Sequence, residues 1–155
     1  MARIHLETLV TAPQQICFDT ARDIDVHMAA NVRSGERAIA GVTSGMIGLS
    51  ETVTWAAKHF GLPFQLTSRI TAFQPPSFFS DDMVKGPFKR WHHEHRFEPQ
   101  GSRTLVIDDA TFASPFGLIG RLVDLIYLER YMTRTLRHHA DHIKKAAEER
   151  AKMPS

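Results

Sequence analysis

The sequence has few of the features that identify secreted, membrane-spanning or nucleic-acid-binding proteins. A single cysteine, Cys17, among 155 residues excludes an internal disulfide and a cysteine-rich metal site. No run of about 18 apolar residues occurs, and residues 1–7 contain no apolar stretch of signal-peptide length. The 19 basic and 17 acidic residues give a formal charge of +2, which is too balanced to indicate nucleic acid. We therefore expect a cytoplasmic protein without a nucleic-acid partner.

The composition is that of one ordinary domain. Hydrophobic residues make up 43% of the chain and charged residues 23%. A chain of this length and composition can bury a substantial core. Residues 1–155 are therefore predicted to fold as a single domain.

Residues 90–98 alternate cleanly between two sets of side chains. One set is Trp91, His93, His95 and Phe97, and the other is charged apart from His92. Because successive side chains of a strand point to opposite faces, the charged set belongs in water and the first set faces inward. A buried polar group without a hydrogen bond costs roughly 1–3 kcal/mol, so the two inward histidines need partners.

Most of the remaining chain shows the same alternation. Strands are predicted over residues 3–10, 36–39, 51–60, 64–73, 77–85, 90–98 and 103–113. Two short helices follow the first strand. The first is predicted over residues 13–21, with Thr11 as a good N-cap and Pro13 in the first turn. The second is predicted over residues 23–31, with Asp23 as its cap.

After residue 117 the period changes from two to about 3.6. The apolar positions of this segment are Leu118, Leu122, Leu125, Leu128, Met132, Leu136, His139 and Ile143. They predict one long helix that extends to about residue 152. An antiparallel sheet with one apolar face needs a cover, and this helix is the only predicted element long enough to provide it. The predicted class is α+β.

At this point the chain resembles the START/Bet v1-like (SRPBCC) superfamily, and within it a bacterial subgroup of ligand-binding, cyclase-like members. The residues that carry the resemblance are 23–27, 44–55, 79–81, 86–88, 91–97, Asp108 and 114–117. The resemblance implies a helix-grip fold, in which a curved antiparallel sheet of about seven strands wraps around the C-terminal helix. It also implies an apolar ligand such as a lipid, polyketide or quinone, because superfamily members bind such molecules and some are cyclases or hydrolases. Fold alone does not choose among these functions.

The inward parity of these segments predicts a polar cluster on the sheet. Its members are Glu51, Asp81, His93, His95 and Asp108. Neighbouring strands lie about 5 Å apart, so three carboxylates are within reach of two imidazoles. A histidine paired with a carboxylate is held in one orientation and its pKa is raised.

Four interpretations of this cluster remain open. It is a hydrogen-bonded network in a filled core, in a structural or interaction protein, or it is the polar end of an apolar ligand pocket. Alternatively, His93 or His95 is the general base of a cyclase or dehydratase. The last interpretation is a zinc site, for which no supporting pattern of secondary ligands is visible in the sequence. We expect an apolar ligand, with no metal and no other cofactor.

Aromatic and helical residues complete the predicted ligand site. Apolar walls are expected from Trp55, Trp91, Phe97 and Phe112, and from Leu122, Leu125 and Met132 of the last helix. The outer face of this helix carries mixed charge with a basic excess, which is typical of a solvated surface. The basic excess also leaves open a weak contact with an anionic membrane surface. His138 and His142 are expected to be surface histidines.

Overall fold

The computed structural model describes residues 1–115 and 117–154, apart from the side chains of residues 120 and 123–125. Seven strands form one antiparallel sheet in the order β1-β7-β6-β5-β4-β3-β2. The strands are β1 Ala2–Val10, β2 Arg37–Gly41, β3 Thr52–His59, β4 Leu62–Gln74, β5 Phe78–Lys85, β6 Arg90–Gln100 and β7 Arg103–Ala113. From β2 to β7 each strand pairs with the next, short turns join the strands from β3 to β7, and β1 closes the order beside β7. The α+β helix-grip class is confirmed.

Two short helices connect β1 to β2. They are α1 (Gln14–Ala21) and α2 (Ile24–Ala30). Asp23 caps α2 as predicted, since its Oδ1 accepts from the backbone N–H of Asp25 at 2.9 Å. The N-cap predicted at Thr11 is wrong. The residue before α1 is Pro13, and the backbone N–H of Thr11 instead donates to Glu148 of the last helix at 3.0 Å.

The C-terminal helix is interrupted. It consists of α3 (Gly117–Val123), a π-helical turn (Asp124–Leu128) and α4 (Glu129–Ala151). The predicted long C-terminal helix is confirmed, but the π turn interrupts the single apolar stripe predicted along it. In an α-helix each residue turns by about 100°, so the wider π turn changes which face the preceding segment presents. Leu118 and Leu122 are accordingly 81% and 60% exposed, although both belong to the predicted apolar stripe.

The C-terminal half of α4 packs tightly against the rest of the molecule. Ala140, Ile143 and Ala147 are buried on its inner side. At the far end Arg150 donates to Asp23 at 2.7 Å and thereby fixes α4 to the start of α2. Among the described residues, no helix has both the length and the apolar character needed to cross a bilayer.

Candidate functional site

A cavity of about 340 Å³ lies between the concave face of the sheet and the helices. Strands β3 to β6 form one wall, and α2, the π turn and α4 form the other. The lining is mainly apolar, and its aromatic members are Trp55, Phe60, Phe64, Phe79, Phe88, Trp91 and Tyr131. The volume falls within the roughly 300–1,000 Å³ typical of small-molecule sites. The sheet and the helices are therefore not packed directly against each other throughout this region.

A cluster of two aspartates and two histidines forms the polar part of the sheet wall. The antiparallel register places Asp81 of β5 opposite His93 of β6, and His95 of β6 opposite Asp108 of β7. The Nδ1 atom of His95 lies 2.9 Å from Asp108 Oδ1, and its Nε2 lies 3.3 Å from Asp81 Oδ2. Four of the five polar residues predicted from the sequence are thus adjacent. Asp81, His93 and His95 face the cavity, and Asp108 lies behind the histidines.

His93 is the remaining member of this cluster and contacts both His95 and Asp108. Its ring lies 3.9 Å from the ring of His95, and its Nε2 is 3.2 Å from Asp108 Oδ1. The Nε2 contact with Asp108 lacks hydrogen-bond alignment, so this buried atom has no hydrogen-bond partner among the described residues. Buried polar groups are usually paired, and an unpaired one points to a functional constraint.

Contacts among the members of this cluster shift the pKa values of its ionisable groups. Burial alone would lower the pKa of His95, but hydrogen bonds to Asp108 and Asp81 raise the pKa to about 9. Burial alone would raise the pKa of Asp108, but its contacts with His93 and His95 hold that pKa far below its ordinary value. The pKa of Asp81 is lowered, because the hydrogen bond from His95 outweighs its burial. These contacts favour the ionised form of both carboxylates and the protonated form of His95.

The helices contribute a second group of histidines to the cavity. His27 of α2 stacks on Trp55 with the ring centroids 4.2 Å apart, and its Nε2 lies 2.7 Å from Glu36 Oε1. The pKa of Glu36 is lowered, because the hydrogen bond and charge of His27 outweigh burial. His139 of α4 lies 4.2 Å from His27 between ring centroids. Burial and the neighbouring charge of His27 hold the pKa of His139 well below its ordinary value.

A further histidine stands beside an aromatic pair. His59 Nδ1 lies 2.6 Å from the Tyr131 hydroxyl, which links the end of β3 to α4. Phe60 packs on Tyr131 at 4.8 Å and lies with Gly61 in the β3–β4 turn, where both residues have positive φ. Of the chain's nine histidines, five line the cavity, namely His27, His59, His93, His95 and His139.

Three of these five histidines are absent from the predicted site, although the sequence carried a signal for each. His59 shares the inward parity of Trp55 on β3, and His139 belongs to the apolar stripe of the last helix. His27 lies within residues 23–27, which form part of the family resemblance. In each case the local sequence pattern indicates that the histidine side chain points inward, but it does not indicate which residues lie beside that side chain.

Glu51 is wrongly placed by the sequence prediction. It precedes β3 and lies in a turn in which Ser50 has a positive φ of 66°. The parity of the strand therefore does not extend to it. Its side chain is exposed and accepts a hydrogen bond from the backbone N–H of Gly48 at 2.8 Å, away from the cavity.

The predicted apolar wall is partly correct. Trp55, Trp91 and Met132 line the cavity. Phe97 and Phe112 are 1% and 0% exposed and lie in the packed core, where Phe97 contacts Phe18 and Phe79, and Phe112 contacts Trp91 and Phe88. Leu122 is exposed on α3, and the side chain of Leu125 lies outside the described part of the chain.

Comparison with known proteins identifies the fold through solved structures. No protein-family model and no curated protein matches the chain. The protein TTHA0849 of Thermus thermophilus is 14% identical, with a TM-score of 0.79 over 97% of this chain and 100% of that chain. The Zhui aromatase/cyclase from Streptomyces sp. R1128 is also 14% identical, with a TM-score of 0.74 over 97% and 96%. A START superfamily protein from Mycobacterium smegmatis, likewise 14% identical, has a TM-score of 0.71 over 95% and 97%. The chain therefore has the START/Bet v1-like (SRPBCC) helix-grip fold.

Proposed function

We propose that the protein binds a small, largely apolar organic ligand in the cavity between the sheet and the helices. The observation that carries this proposal is an aromatic-lined space of about 340 Å³ that contains one compact polar cluster. Sites for small organic molecules usually combine apolar walls with a few convergent polar groups that fix orientation. The lipid, polyketide or quinone class expected from the sequence fits this combination.

The aromatic walls supply the contact area for the ligand. Trp55 and Phe79 are each backed by a stacked imidazole, His27 and His95 respectively, with centroids 4.2 and 4.3 Å apart. Stacking holds the indole and phenyl rings in fixed orientations and leaves little side-chain entropy to be lost on binding. Flat apolar ligands are favoured by such a surface.

The polar cluster supplies the orientation. Asp81, His93 and His95 face the cavity from two neighbouring strands, so a ligand with one oxygen at its end is held with that oxygen toward the sheet. A polar ligand group buried here needs a hydrogen-bond partner, and the cluster offers both acceptors and donors. The structural likeness to the Zhui aromatase/cyclase supports a ligand of this class.

A substitution on β3 that places a bulky side chain in the cavity tests the proposal. Ala57 lines the cavity, whereas the preceding residue, Ala56, belongs to the other face of the same strand. We expect Ala57→Phe to weaken binding of the apolar fluorescent probe N-phenyl-1-naphthylamine by at least about tenfold, because the ring occupies the ligand space. Ala56→Phe is the matched control and keeps the wild-type affinity. Wild-type protein that does not bind the probe, or equal binding by both variants, contradicts the proposal.

Native mass spectrometry identifies the natural ligand. Protein purified without detergent from its own host is expected to retain an additional organic mass that Ala57→Phe lacks. A mass retained equally by both proteins is bound elsewhere and argues against this cavity as the binding site.

A further inference from the structure

We propose that Asp81, His93 and His95 form a binding site for a divalent transition-metal ion of the zinc class. This inference goes beyond the proposed function, because the ion would bind whether or not an organic ligand is present. The three residues each offer one ligand atom, and these atoms all lie within 4.8 Å of one another. Two imidazoles and one carboxylate are the side chains that commonly hold zinc at sites with an open coordination position.

The spacing of two of the ligand atoms already matches such a site. His95 Nε2 and Asp81 Oδ2 are 3.3 Å apart. Metal–ligand bonds of about 2.0–2.1 Å in a tetrahedron separate neighbouring ligand atoms by about 3.4 Å. A metal ion that displaces the proton from His95 Nε2 can therefore bridge His95 and Asp81 with little movement of either side chain, and His93 needs to move further.

Asp108 provides the support that metal-binding histidines usually have. Its Oδ1 lies 2.9 Å from His95 Nδ1, on the opposite side of the ring from Asp81. A carboxylate that accepts the second ring N–H orients the imidazole and increases its basicity toward a metal. Asp108 is thus a positioning residue, and it directs His95 Nε2 toward the proposed site.

An independent observation comes from His93. Only 7% of this residue is exposed, it faces the cavity, and its Nε2, although 3.2 Å from Asp108 Oδ1, has no aligned hydrogen-bond partner among the described residues. Buried polar side chains usually have a hydrogen-bond partner, and this imidazole nitrogen lacks one. Coordination by His93 would give the imidazole the partner it lacks.

The chemistry of the site selects the class of metal. Nitrogen ligands from two imidazoles suit zinc, cobalt, nickel or copper, whereas magnesium and calcium prefer all-oxygen surroundings. The carboxylates of Asp81 and Asp108 offset the charge of a dication in a wall that is otherwise mainly apolar. The remaining coordination positions face the cavity, where an oxygen of the ligand could bind. This last step rests on the proposed function.

Metal titration of protein that has first been treated with a chelator tests the site. We expect wild-type protein to bind one equivalent of Zn²⁺, and Co²⁺ to give the visible absorption of a tetrahedral site, while Mg²⁺ does not compete. His95→Gln and Asp81→Asn should each weaken Zn²⁺ binding by about 100-fold or more, since each removes a ligand. Circular dichroism confirms that the variants are folded, and His93→Gln serves if either of them is not.

His92→Gln is the matched control. His92 lies between the two proposed ligands on β6 but points to the outer face, where its Nδ1 lies 2.8 Å from Asp82 Oδ1. This variant should bind Zn²⁺ as the wild type does. Absence of stoichiometric binding by the wild type, or an equal loss in His92→Gln, overturns the proposal. Failure here is distinct from failure of the proposed function, because the apolar probe is tested on chelator-treated protein.

Discussion

Replacing Asp108 with asparagine is expected to lower the free energy of unfolding by about 3 kcal/mol, because it removes one partner of a buried ion pair. Asp108 lies between the two histidines, with its Oδ1 2.9 Å from His95 Nδ1 and 3.2 Å from His93 Nε2. Asparagine preserves the size of the side chain and removes its charge. The imidazolium of His95 then keeps only Asp81 as a counter-charge. Urea denaturation of chelator-treated protein measures the effect.

Asp109→Asn is the matched control for this change. Asp109 is the next residue of β7 and points to the outer face, where Arg3 donates to it at 3.0 Å. Its partners Arg3 and His5 are exposed, so water screens these interactions and the loss of stability should be much smaller. Similar losses in the two variants would show that the inner cluster is not a strongly coupled buried network.

Replacing His139 with leucine is expected to make the protein more stable, and increasingly so as the pH falls. His139 Nδ1 is buried without a hydrogen-bond partner among the described residues, and leucine removes this cost of about 1 kcal/mol. The pKa of His139 is held well below its ordinary value, so the unfolded chain takes up this proton first. Below pH 6.5 His139 therefore lowers the stability of the wild type, by about 1.7 kcal/mol between pH 6.5 and 5.

The pH window from 5 to 6.5 isolates His139. Histidines with a raised pKa contribute stability that is fully present below 6.5 and is lost only as the pH rises through the folded value. Carboxyl groups with a lowered pKa contribute stability that is present above their ordinary values and is lost only at lower pH. The histidines with a raised pKa are His5, His92 and His95. The carboxyl groups with a lowered pKa are Glu36, Asp81, Asp108 and Asp109. Neither set accounts for a loss of stability as the pH falls across this window.

The groups around His139 come from three other elements, and the experiment must leave them unchanged. They are His27 of α2, His93 and His95 of β6, and Asp108 of β7. His138→Leu is the control, because His138 is the adjacent residue on the exposed side of α4. Urea denaturation at pH 6.5 and 5 should show that His139→Leu, and not His138→Leu, reduces the loss of stability at pH 5. An unchanged loss in His139→Leu would show that His139 is not the buried neutral group.

The order of the strands was largely readable from the sequence. Alternation of period two located seven strands, and the last of them, β7, was predicted with its observed bounds. Consecutive strands joined by short turns usually pair with each other, so the antiparallel order from β3 to β7 follows from local signals. The same alternation placed Asp81, His93, His95 and Asp108 on one face. Their role in binding remains a proposal.

Errors in the predicted site have local structural causes. Glu51 was assigned the parity of β3 although the strand begins one residue later, after a turn. Leu122 was assigned the phase of a continuous helix, which the π turn of Asp124–Leu128 interrupts. Phe97 and Phe112 do face inward, but α1 covers Phe97 and aromatic neighbours cover Phe112, so the cavity does not reach them.

The sequence by itself determined the strands, most of their neighbours and the inward direction of most strand side chains, because these depend on backbone periodicity and short turns. Only the tertiary structure decided that a cavity remains, because its volume depends on how closely the helices approach the sheet. The meeting of His27 and His139 across the cavity from Asp81, His93 and His95 was likewise decided by helix packing. These residues are far apart in the chain, and no local pattern specifies the distance between them.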